Sequence, residues 1–161
     1  VLNAVANELT NKGIELIDST SYIKDHLAPV GQIGSISPSK EARRDIEFGW
    51  PLLSKINMLK IGQALIVKER DIVAVEALEG TDAMIERSKK LCKRGGWSLL
   101  KCASENHDMR ADVPTIGVNT IKKVSAAGGH AIAIGANRTI LVNMPDVINS
   151  ANKLGIALIG I

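Results

Sequence analysis

The residues best suited to chemistry lie in Val75-Glu-Ala-Leu-Glu-Gly-Thr-Asp-Ala-Met84, where Glu76, Glu79 and Asp82 gather around Gly80. Upstream, residues 61–67 and 72–78 are apolar and partly β-branched, as a buried strand pair would be. Thr81 reads as a helix N-cap, with Gly80 a flexible hinge before it. The acids therefore sit between a strand's end and a helix's start. Carboxylates collected there repel one another unless protons, basic side chains or a divalent cation neutralise them, and the adjoining helix N-terminus favours anions such as phosphate. Metal-assisted phosphate chemistry is the first expectation. Asp82 also fits a plainer role, because the helix dipole alone favours an acid in the first turn. Glu76 shares a strand face with Ile72 and Ala74, where an unpaired carboxylate is costly, so it requires a base or a metal.

A second set follows in Ser104-Glu-Asn-His-Asp-Met-Arg-Ala-Asp-Val-Pro-Thr-Ile-Gly117, an irregular stretch that is long for a compact domain. Asp108, Arg110 and Asp112 alternate there, so an extended backbone points all three side chains one way. Two carboxylates suit a hard cation and one guanidinium suits a phosphate, which together polarise a phosphoryl group and position water. The same spacing also fits a surface ladder of ion pairs. His107 reads either as a metal ligand, as a general base near neutral pH or as a polar loop residue.

These residues need a sheet with helical crossovers to position them. The pattern predicts strands near 61–67 and 72–78, a helix over about 82–94 and a strand at Trp97–Cys102. A helix opens at Asn119 or Thr120 and stops at Gly128-Gly129; strands follow at 130–134 and 139–142, then a helix from Pro145 and a last strand at 156–161. The expected class is α/β, a mixed β-sheet with flanking helices. Ahead of it, helical spacing over residues 1–12, a stop at Gly13 and a short strand at Ile14–Ile17 predict a βα remnant of a truncated N-terminal domain, spanning 1–28. Residues 29–39, rich in glycine, serine and proline, read as a linker, and 40–161 as the C-terminal catalytic or substrate-binding domain. That domain opens with a helix capped near Ser39 and resumed after Pro51.

Composition narrows the function classes. With 161 residues, 45% hydrophobic and 23% charged, the chain is an ordinary globular size. A net charge of +3 and four aromatics leave little for nucleic-acid binding. The basic cluster Arg87–Arg94 fits a solvated helix face, with a weak attraction to anionic lipid headgroups as the membrane alternative. Cys92 and Cys102 lack any Cys-x-x-Cys or zinc-like spacing and read as reduced, buried thiols of a cytoplasmic protein.

Ile61-Gly-Gln-Ala-Leu-Ile-Val67, Glu76-x-x-Glu-Gly-Thr-Asp82 and Asp108-x-Arg-x-Asp-x-Pro114, in this order and spacing, resemble the C-terminal domain of the LpxI family of UDP-2,3-diacylglucosamine pyrophosphatases. The resemblance implies hydrolysis of the pyrophosphate bond of UDP-2,3-diacylglucosamine in lipid A biosynthesis, with water attacking the α-phosphorus to give UMP and 2,3-diacylglucosamine 1-phosphate. It also implies a divalent metal, magnesium by preference, a homodimer, and contact with the inner face of the inner membrane. Asp108, Asp112 and Arg110 then take catalytic positions. Glu76 and Asp82 join the two aspartates as metal ligands, and Gln63, Glu79, Gly80, Thr81 and His107 line the substrate. Ser104–His107 stands where the family usually carries a Lys-Pro-Gly-Gln-type turn, and Ala111 where an aromatic is common. These departures fit an alternative: a non-catalytic ligand-binding or oligomerisation domain with an altered substrate.

Overall fold

The computed structural model describes residues 2–103, 109–110 and 113–161, with side chains from Ala4 onward. Helix α1 (Leu2–Asn11) ends where the pattern places its stop, with Gly13 in the left-handed region (φ +77°). The Ile14 N–H turns back onto the Leu9 carbonyl at 3.0 Å. That bond closes the helix end, and Ile14 and Ile17 stay about half exposed, so the strand expected at 14–17 does not form. A 3-10 turn at Lys24–His26 follows.

Strand β1 (Gly31–Ile33) lies within the stretch read as a linker and forms one edge of the main sheet. Helix α2 (Lys40–Met58) begins at Ser39, whose side chain accepts the Ala42 N–H at 3.1 Å. It runs unbroken through Pro51, where two helical pieces were expected. Pro51 and Glu47, the residue whose carbonyl loses its N–H partner, both lie on the exposed side, while Ile46 and Leu53 bury the other side.

The hairpin β2 (Ala64–Lys68) and β3 (Asp71–Val75) turns on Glu69 and Arg70, both at positive φ (53° and 62°). Helix α3 (Gly80–Leu91), strand β4 (Trp97–Lys101), strand β5 (Thr115–Ile116), helix α4 (Val118–Ala126), strand β6 (Gly129–Ile134), strand β7 (Ile140–Leu141), helix α5 (Met144–Leu154) and strand β8 (Ala157–Gly160) complete the order. The main sheet runs β1-β8-β6-β4-β2-β3 and is mixed: β4, β6 and β8 are parallel, and β1, β2 and β3 pair antiparallel. β5 and β7 form a separate parallel pair.

Side-chain alternation splits the core into two layers. Ile66, Leu99, Ile132 and Leu158 pack with Met84, Ile85, Ile121 and Val147 of the three later helices. Leu65, Val67, Leu100 and Ala133 pack beneath Ile46 and Leu53 of α2. This is the expected α/β architecture, a mixed sheet with helices on both faces. Among the described residues no helix is long and apolar enough to cross a membrane. Cys92 and Cys102 form no disulfide and are half-buried where full burial was expected.

Candidate active site

The parallel strands β4, β6 and β8 end at one edge of the sheet, and the start of β2 and the end of β3 reach the same edge. Open α/β sheets place ligands outside that carboxyl edge. There the Glu76 N–H donates to the Ala64 carbonyl at 2.9 Å, and the Cys102 N–H donates to the Gln63 carbonyl at 3.0 Å. Gln63 is half-buried. Gly62 fits because it lacks a side chain: a Cβ there would lie 1.9 Å from the Glu76 carbonyl oxygen.

Helix α3 starts at Gly80, whose φ of +81° suits glycine and makes the bend from β3 into the helix. Thr81 was expected to cap this helix. The N-cap is instead Glu79, with no side-chain cap bond, and Thr81 lies inside the first turn. Its hydroxyl is drawn elsewhere: Oγ1 donates to Glu76 Oε1 at 2.8 Å and accepts from Lys101 Nζ at 2.8 Å. Lys101, Thr81 and Glu76 thus form one row across β4, α3 and the end of β3. The second carboxylate oxygen, Glu76 Oε2, is buried without a partner among the described residues.

The other two acids turn outward. Arg87, one turn and more along α3, donates to the Val75 carbonyl at 3.0 Å and to Glu79 Oε1. The hydrogen bond from Glu79's own backbone N–H, and then the Arg87 guanidinium, hold its carboxyl below the ordinary range. Asp82 pairs across to Lys123 of α4. Arg87 therefore ties the helix start to the strand rather than standing in a wholly solvated basic face. The three carboxylates of the motif are split among a hydroxyl, a guanidinium and an ammonium. Among the described residues no three His, Cys, Asp or Glu side chains gather to hold a metal.

Arg110 lies in a turn clamped from the N-terminal segment: Ser19 Oγ donates to the Met109 and Arg110 carbonyls at 2.7 and 2.8 Å. His107, Asp108 and Asp112 lie outside the described residues. A cavity of about 200 Å³, lined by Trp50, Leu53, Asn57, Cys102 and Arg138, opens beside α2, on the other face of the sheet from Thr81. Lys101 and Lys123 were not singled out in the sequence. Lys101 carried a signal, being the charge that ends the buried run Trp97-Ser-Leu-Leu. Lys123 carried none, because its partner lies 41 positions away.

Residues 29–159 match the family described as the LpxI C-terminal domain. Among curated proteins, the UDP-2,3-diacylglucosamine pyrophosphatase LpxI of Caulobacter vibrioides is 33% identical over 168 aligned positions, which take in all of this chain and 60% of that protein. The chain thus spans 60% of the length of this relative.

Proposed function

From the premise that this chain belongs to the LpxI family, we propose that the protein containing it acts in lipid A biosynthesis, hydrolysing the pyrophosphate bond of UDP-2,3-diacylglucosamine to UMP and 2,3-diacylglucosamine 1-phosphate. The structural observation that supports the reading is the row at the carboxyl edge, with its orphaned Glu76 Oε2. A buried carboxylate oxygen without a partner is costly, and a ligand that satisfies it is favoured.

That oxygen is a hard donor and fits a divalent cation. Glu76, with the aspartates at 108 and 112, would hold the metal, whereas Asp82 joins only by leaving Lys123. Magnesium bound there supplies Lewis-acid polarisation of the phosphoryl oxygens. The chain's own groups have separate tasks. Arg110, on a turn braced by Ser19, offsets phosphate charge, and Asp108 or Asp112 orients the attacking water. Gln63 and Thr81 fix the substrate at the ends of β2 and α3.

A second reading, a domain that holds its ligand without cleaving it, is favoured by the pairing of Glu79 and Asp82 with Arg87 and Lys123. The test is UMP release from UDP-2,3-diacylglucosamine by the full-length polypeptide, with magnesium and with EDTA. Magnesium-dependent release that disappears in Asp108→Ala or Asp112→Ala supports the hydrolase. Retention of intact substrate without UMP supports the binding domain.

A further inference from the structure

Among the described residues, neither Lys101 nor Glu76 has a direct ion pair at the carboxyl edge. Arg87 has Glu79 and Lys123 has Asp82. Lys101 has no carboxylate: its half-buried ammonium touches the neutral Thr81 hydroxyl, which in turn holds Glu76 Oε1. An ammonium carries three donors, and withdrawing it from water without a counter-ion is unfavourable. The arrangement aims Nζ and, among the described residues, leaves it without a direct ion pair, the Glu76 carboxylate standing one hydroxyl away. Thr81 fixes the direction of the ammonium, and Glu76 fixes Thr81 by accepting its hydrogen bond. An anionic ligand at this edge supplies what Lys101 lacks.

We propose that Lys101 is a catalytic residue that contacts the pyrophosphate of the substrate and offsets the negative charge that grows on it during hydrolysis, with Thr81 as its positioning residue. The inference rests on the UDP-sugar reading above and adds to it the cation that faces the scissile phosphates. A lysine suits the place: its point charge follows a phosphoryl oxygen as geometry changes. The seat is rigid, because β4 is paired on both sides, with Lys101 opposite Ala64 of β2 and Ile134 of β6. A group held this way loses little on reorganising as the reaction proceeds.

Two variants of the full-length polypeptide separate charge from packing. Lys101→Gln keeps a donor for Thr81 and removes the charge; Lys101→Arg keeps the charge. Each is assayed for UMP release from UDP-2,3-diacylglucosamine, for UDP affinity by titration calorimetry and for melting temperature. Lys101→Gln is expected to melt as the parent does, to bind UDP ~10-fold more weakly and to lose ~100-fold in kcat/KM, the loss falling more on kcat than on KM. Lys101→Arg is expected to hold UDP within ~3-fold of the parent, since both side chains carry the charge.

The proposal is overturned if Lys101→Gln keeps both UDP affinity and UMP release, if both variants are equally impaired, or if Lys101→Gln fails to fold while Lys101→Arg folds. Failure of the pyrophosphatase reading looks different. If the parent binds UDP through Lys101 and releases no UMP, Lys101 stands as a phosphate contact and the hydrolase reading falls; if it neither binds nor cleaves, both fall.

Discussion

Replacing Thr81 with valine tests the row that organises the carboxyl edge. Valine keeps the branched shape and the volume but removes one oxygen, which serves both as donor to Glu76 Oε1 and as acceptor from Lys101 Nζ, each at 2.8 Å. Hydrogen bonds to charged groups contribute roughly 1.5–3 kcal/mol each, and the half-exposed setting of Thr81 and Lys101 places each near the lower bound. The loss is therefore about 2–3 kcal/mol, because valine leaves a carboxylate oxygen and an ammonium without their partner. For a chain of this size that lowers the melting temperature by about 5–10 °C. Thr81→Ser, which restores the oxygen and removes only a methyl group, recovers most of the loss. Urea denaturation and thermal melting of the three proteins are the assay. A valine variant within about 0.5 kcal/mol of the parent, or a serine variant as weak as the valine one, refutes the reasoning.

Three further perturbations read other parts of the structure. Burial holds the His130 imidazole below its ordinary 6.5, against the pull of Asp45 and Glu41, and both ring nitrogens are buried without partners among the described residues. The unfolded chain then takes up the proton first, so stability present above about pH 6.5 is lost as pH falls, by up to ~1.4 kcal/mol per unit. His130→Gln shrinks the difference in unfolding free energy between about pH 7.5 and about pH 5.5; an unchanged difference assigns the acid lability elsewhere. Asp45, 2% exposed, accepts the Arg70 N–H at 2.8 Å and braces the left-handed hairpin turn, so Asp45→Ala costs about 2 kcal/mol by urea denaturation, and a loss under about 0.5 kcal/mol contradicts that role. Gly62→Ala drives a methyl group against the Glu76 carbonyl and destabilises by at least ~2 kcal/mol in the same measurement; a neutral change means the strand start has no close contact to lose.

The sheet was legible because its strands are apolar runs and its helices have clear stops. Leu65 to Val67, Leu99 to Leu100 and Ile132 to Ile134 are buried on both faces, which gives unbroken hydrophobic segments of strand length. The glycines at 80 and 128 and Pro145 stand at helix boundaries with the backbone roles their chemistry predicts. Short pieces were less legible. β1 has three residues in a glycine- and serine-rich stretch and exists through its pairing with β8, a contact over 100 residues away. β5 and β7 have two residues each and are likewise defined by each other. The Ile14–Ile17 segment shows the converse: a strand-like composition with no strand beside it stays irregular.

At the candidate site, the sequence singled out Gly80 and Thr81 and expected the threonine to cap the helix, a task that the structure does not give it. Spacing alone favours Thr81 as a cap, and it cannot register that Lys101, 20 residues on, offers the hydroxyl a charged partner. Glu76 was expected to need a base or a metal because of its strand face. Its Oε1 is met through Thr81, and its Oε2 is left open. The expectation that Glu79 and Asp82 act with Glu76 rested on proximity in sequence, whereas a helix start turns successive side chains about 100° apart and delivers these two to Arg87 and Lys123.

The most direct test of the central claim is product analysis of UDP-2,3-diacylglucosamine incubated with the full-length polypeptide in ¹⁸O-labelled water, followed by phosphorus NMR and mass spectrometry. The account requires equal amounts of UMP and 2,3-diacylglucosamine 1-phosphate with one labelled oxygen in one of the two phosphates, and the position of the label identifies the attacked phosphorus. UDP and free sugar, or unchanged substrate bound to a folded protein, would contradict it.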